Sequence, residues 1–131
     1  MSLHLKIIQP YRTVAELECD HVIIPGIDGD IGVSTGHTPL LTKIRPGPLV
    51  VFQKDTKINY AIHDGFVSIE KDKIRIVCEI IECGDEIDQK RAEEAKKRAE
   101  ERLKDTESDI DFRRAESSLR RAVARLQSIA D

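Results

Sequence analysis

At 131 residues the chain has room for one compact core with an appendage and not for two large cores. Its 21 Lys and Arg against 24 Asp and Glu leave a formal charge of -3, which excludes a nucleic-acid binder held by phosphate contacts. Aromatic residues make up 4% and tryptophan is absent, so the stacking platforms that single strands need are missing as well.

The opening stretch MSLHLKIIQPYRTV carries neither a basic segment followed by an apolar run nor an Arg- and Ser-rich leader, and no 18-residue apolar run occurs. No export signal and no membrane-spanning helix are expected. Up to Gly84, apolar residues recur in short runs: Leu3, Leu5 and Ile7; Val14, Leu17 and Cys19; Val22 to Ile24; Leu49 to Phe52; Ile58, Tyr60 and Ile62; Phe66, Val67 and Ile69; Ile74, Ile76 and Cys78. Turn signals at PGIDGDIG, STGHTP, RPGP, KDTK, HDG and EKDK separate them. This pattern predicts an antiparallel β-sandwich or barrel over residues 1–84.

Within that region few residues suggest chemistry. His4, His21, His37 and His63 have no metal-like spacing to one another or to a cysteine, and His37 in GHTPLL reads as a turn histidine because no nucleophile motif accompanies it. Asp28 and Asp30 do not match a calcium loop and read as turn and surface acids. Cys19, Cys78 and Cys83 are odd in number and lack CxxC spacing, so buried reduced thiols are expected.

All seven glycines and all five prolines fall at or before Gly84. Beyond it the period changes to that of a helix, which predicts an α-helical unit over residues 85–131. Asp88 can cap a first helix with Ala92, Ala95, Ala99 and Leu103 on one face. The segment KDTESD breaks the pattern, and Ser108 or Asp109 can cap a second helix carrying Phe112, Ala115, Leu119, Ala122, Leu126 and Ile129. So short a connection predicts an antiparallel hairpin. Its seam is largely alanine, each burying about 0.8 kcal/mol worth of methyl, so the hairpin needs a docking surface, ligand or partner.

Beside the seam run two lines of arginine. Arg91, Arg98 and Arg102 step by seven and then four, and Arg114, Arg121 and Arg125 repeat the spacing, each one residue before a seam position. Two such lines facing one groove match the oxygens of a polyphosphate, since guanidinium forks pair with phosphates bidentately. The alternative is a solvated face of ion pairs, with Glu94 to Arg98 and Glu100 to Lys104 at helical spacing. No GxxxxGK[ST] loop is present, so binding without hydrolysis is the reading that remains.

The stretches VIIPGIDGDIGVSTGHTPLLTKIRPG, IDQKRA and DIDFRRAESSLRRAVARL resemble the epsilon subunit of bacterial F-type ATP synthase over essentially the whole chain. The resemblance implies a β-sandwich that grips the gamma subunit and rests on the ring of c subunits. It implies a peripheral protein at the cytoplasmic face of the bacterial membrane, without catalytic activity of its own. The hairpin corresponds to a regulatory arm that folds against the sandwich or extends into the α/β catalytic head, where hydrolysis is blocked. Relatives that bind ATP carry I/L-D-x-x-R-A, matched here by Ile87, Asp88, Arg91 and Ala92. Glu82, Arg98, Arg121 and Arg125 are the neighbouring matches, which makes ATP the implied regulatory ligand; a requirement for Mg²⁺ is left open. Asp30 matches the acidic position facing the c ring. The chain departs from the family in STGHTP, where a proline usually precedes Gly-His, and in HDGF, where Gly-Gly is frequent. A structural coupling subunit whose hairpin binds no nucleotide is the second reading, and an enzyme the third, for which no nucleophile constellation is available.

Overall fold

A computed structural model describes residues 2–105 and 109–129. The first part of the chain forms eight strands: β1 (Leu3–Gln9), β2 (Arg12–Cys19), β3 (His21–Gly26), β4 (Gly29–Val33), β5 (Leu40–Ile44), β6 (Gly47–Gln53), β7 (Thr56–Glu70) and β8 (Lys73–Cys83). A single 3₁₀ turn over Gly84–Glu86 leads into helices α1 (Gln89–Asp105) and α2 (Asp109–Ser128). The strands run in the order β2-β1-β8-β7-β5-β3-β4, with β6 paired to β3 and β7. All pairs are antiparallel except β1 with β8. Folded on itself, the sheet is a sandwich whose interior takes the alternating residues: Leu3, Leu5 and Ile7 of β1, Leu49 and Val51 of β6, Ile74, Ile76 and Cys78 of β8.

Three strand expectations are corrected. PGIDGDIG is a turn of only two residues, Ile27 and Asp28, and its remainder is β4. The stretch LLTKI forms β5, whose Leu40 and Leu41 are both exposed, so no alternation announces it. HDG is a kink inside one fifteen-residue strand: the pairing of β7 with β8 keeps its register on both sides of Asp64, which adopts φ 43°. Before the kink Ile58, Tyr60 and Ile62 face the core, and after it Val67 and Ile69 do. Only glycine fits next to the kink, because a Cβ on Gly65 would lie 2.3 Å from the Val77 carbonyl oxygen.

The helices arise as their pattern predicts. Asp88 Oδ1 accepts the backbone N–H of Arg91 at 3.1 Å and caps α1. The cap expected of Ser108 or Asp109, and the break before it, fall outside the described residues and side chains. Ala92 and Ala99 of α1 and Ala115 and Ala122 of α2 are buried, whereas Ala95, Leu103, Leu119, Leu126 and Ile129 are half-buried. Phe112 leaves the expected stripe and is 44% exposed. It sits in the first turn of α2, roughly 24 Å of helix away from Ser128, the end that meets the sandwich.

The hairpin has a docking surface after all: α1 packs on α2, and α2 packs on β6 and β7. A second face of α2 carries this contact through Ala124 and Ser128, both buried and one turn apart. Ser128 Oγ donates within 3.1 Å of the Tyr60 carbonyl and 2.7 Å of the Ala124 carbonyl. The approach is so close that a Cβ on Gly84 would lie 2.3 Å from the Ser128 carbonyl oxygen. No helix among the described residues is long and apolar enough to cross a membrane.

Candidate functional site

The motif residues converge where α1 begins. The chain turns through Gly84–Glu86, Asp88 caps α1, and the first two turns of that helix then lie against the last turns of α2. Glu82, Glu86, Ile87, Asp88, Arg91, Ala92, Ala95, Arg98 and Arg125 line one cleft of about 340 Å³. Arg98, Arg121 and Arg125, with Arg102 and Ser118, line a second of about 280 Å³ that shares Arg98 and Arg125 with the first. A third, of about 540 Å³, continues from Arg98 and Arg102 to Arg114. All six arginines of the two lines therefore open on one continuous groove along an antiparallel helix pair, Arg102 lying across from Arg114 and Arg91 across from Arg125.

Five acids line the groove beside its six arginines: Glu82, Glu86, Asp88, Glu101 and Asp111. Among the described residues only one of the six arginines has a carboxylate within 4.0 Å: Arg125, whose Nε lies 2.7 Å from Glu82 Oε1. The helical pairs Glu94 with Arg98 and Glu100 with Lys104 are absent from the ion pairs among the described residues, so the face is no ladder of ion pairs. Arg121 reaches Ser118 Oγ at 3.2 Å instead. Among the described residues the other five guanidinium groups have no carboxylate within 4.0 Å, and their forked donors suit phosphate oxygens better than a point charge would. The backbone N–H groups at the start of α1 add a further positive end to the same cleft.

Glu82 occupies a different place from the arginines. It is 34% exposed, holds Arg125, and lies 3.6 Å from Nε2 of His63. His63 was not evident from sequence as part of this region; it lies on β7 and is 2% exposed. Ser128, which helps fix the hairpin's seat, belongs to neither the arginine nor the seam periodicity, and Gly84 is marked in the sequence only as the boundary between the two parts.

Asp30 is not part of this groove and lies in the β3–β4 hairpin, opposite Pro25. It is 62% exposed and its Oδ1 accepts Arg45 Nη2 at 2.5 Å, while Arg45 Nη1 donates to the Gly26 carbonyl. His37 Nδ1 donates to the Thr38 carbonyl at 2.6 Å, as a turn histidine does. Cys19 and Cys78 are buried free thiols, whereas Cys83 is only half-buried.

Comparison with known proteins relates both parts of the chain to one family. Residues 2–84 match the family model described as ATP synthase, Delta/Epsilon chain, beta-sandwich domain, and residues 85–130 the one described as ATP synthase, Delta/Epsilon chain, long alpha-helix domain. The chain is 39% identical over 108 residues to the ATP synthase epsilon chain of Herpetosiphon aurantiacus, covering 82% of this chain and 79% of that one. Its fold is similar to a chain in the cryo-EM structure of Euglena gracilis mitochondrial ATP synthase, with a TM-score of 0.86 at 19% identity, covering 94% of this chain and 78% of that one. A chain of the Tetrahymena thermophila mitochondrial ATP synthase central stalk/c-ring is similar at a TM-score of 0.67 and 13% identity, covering 99% and 98%.

Proposed function

The chain belongs to the ATP synthase delta/epsilon chain family, and from that premise we propose that it is a non-catalytic regulatory subunit of the enzyme's central stalk whose hairpin is an ATP-responsive brake. In this reading the sandwich associates with the gamma subunit and the c ring, Asp30 facing the ring. The titles of the similar structures, a central stalk with its c-ring among them, support that placement. The observation that carries the nucleotide reading is the groove: five arginines without carboxylate partners among the described residues, with Ile87 and Asp88 at the end where α1 begins. The Ile87 and Asp88 end holds the adenine and ribose, and Arg91, Arg98, Arg121 and Arg125 hold the phosphates.

ATP binds a groove built from both helices, so it favours the packed hairpin over any state that separates them. A ligand at one hundred times its Kd stabilises the state it binds by about 2.7 kcal/mol, roughly a hundredfold shift in population. A complete switch from 1:99 to 99:1 needs about 5.5 kcal/mol, so one nucleotide biases the arm and leaves the α/β head free to compete for it. An alanine seam suits an arm that must let go, because each buried alanine contributes only about 0.8 kcal/mol. The test is hydrolysis by the assembled enzyme carrying this chain with and without residues 85–131. Removal should raise the rate at low ATP and abolish its activation by ATP preincubation; equal rates would contradict the brake.

A further inference from the structure

Among the described residues two side chains are buried with polar atoms that find no hydrogen bond: His63, through both ring nitrogens, and Asn59, through Oδ1. Both lie on β7 before its kink, where Ile58, Tyr60 and Ile62 face the core. Alternation puts Asn59, Ala61 and His63 on the opposite face, the one covered by α2. His63 is therefore buried by the hairpin and not by the sandwich. Glu82 on β8 faces it at 3.6 Å, and Arg121 and Arg125 face it from α2. The carboxylate is already engaged, because its Oε1 accepts Arg125 at 2.7 Å.

We propose that His63 makes the seat of the hairpin proton-sensitive, α2 holding to β6 and β7 while the imidazole is neutral and lifting away when it protonates. An imidazolium there would be desolvated between two arginines, with one shared acceptor, and water reaches it only if α2 leaves. Burial pushes the His63 pKa below the ordinary histidine value, Arg125 adds to this, Glu82 opposes it and Arg121 adds again. Because the docked form binds the proton less readily, docking is fully favoured above the ordinary value and is lost as pH falls through it. Going from about pH 7.5 to about pH 5.5, across the ordinary histidine value, therefore raises the undocked share, by about tenfold at most. The device rests on the reading of the hairpin as an arm that leaves the sandwich, and it needs no nucleotide.

Hydrogen exchange of the α2 amides in the full chain without nucleotide, corrected for the intrinsic pH dependence of exchange, tests it. The wild type should lose protection over that pH interval, by about tenfold at most, and His63→Gln and His63→Leu should lose none; either variant serves if the other fails to fold. An unchanged wild type, or the same loss in the variants, would overturn the role of His63. Protection of α2 equal to that of the strands at every pH would count against the arm itself, whereas separate opening of α2 at constant free energy would count against His63 alone.

Discussion

Arg125 Nε donates to Glu82 Oε1 at 2.7 Å and so joins the last turns of α2 to the end of β8. Both side chains are about two-thirds buried, at 29% and 34% exposure, so the pair is better shielded than a surface ion pair. Glu82→Gln keeps an acceptor but removes the charge. It is expected to weaken the hairpin's seat by about 1 kcal/mol, seen as roughly fivefold faster exchange of the α2 amides. The exchange of strand amides should not change.

Two glycines separate the stability of the sandwich from that of the hairpin. Gly65→Ala puts a Cβ 2.3 Å from the Val77 carbonyl oxygen, between two strands of the sandwich. Gly84→Ala puts one 2.3 Å from the Ser128 carbonyl oxygen, between the hairpin and the strand end. Each clash costs about 1–3 kcal/mol. The first should lower the melting temperature of the sandwich, and the second should release α2 while leaving that temperature in place. Circular dichroism followed on heating, with α2 exchange beside it, distinguishes the two.

The thiols give a pH dependence of opposite sign to that of His63. Burial pushes both Cys19 and Cys78 up from 9.0 to about 11, with Asp20 and Glu18 adding to the effect at Cys19. The folded chain keeps them protonated, so their contribution is present below the ordinary thiol value and is lost as pH rises through about 9 to 11. Chemical denaturation should show stability falling over that window. Alkylation at neutral pH, read by mass spectrometry, should reach half-buried Cys83 first.

Much of this molecule is legible in its sequence where one periodicity governs. Leu3, Leu5 and Ile7 announce β1, and the arginine steps of seven and four identify six residues that line one groove. Legibility fails where two demands meet. β4 contains Gly29 and Gly32, which suggest a turn, yet its pairing with β3 makes it a strand. Asp64 and Gly65 form a turn dipeptide, yet β8 holds its register across them and turns the signal into a kink. α2 buries Ala115 and Ala122 toward one side and Ala124 and Ser128 toward another, and a single stripe cannot show both. His63 gained its place only when the hairpin was laid over β7, a contact between residues far apart in the chain.

The central claim is that the arginine groove binds ATP, and titration calorimetry of ATP into the full chain tests it most directly. The wild type should bind at one saturable site, and Arg98→Ala or Arg121→Ala should each weaken it about tenfold by removing a charge-assisted contact. Asp88→Ala with Arg91→Ala should abolish it, while Arg91→Ala alone, which keeps the helix cap, separates lost contact from lost helix. No binding by the wild type, or the same affinity in the double variant, would contradict the account.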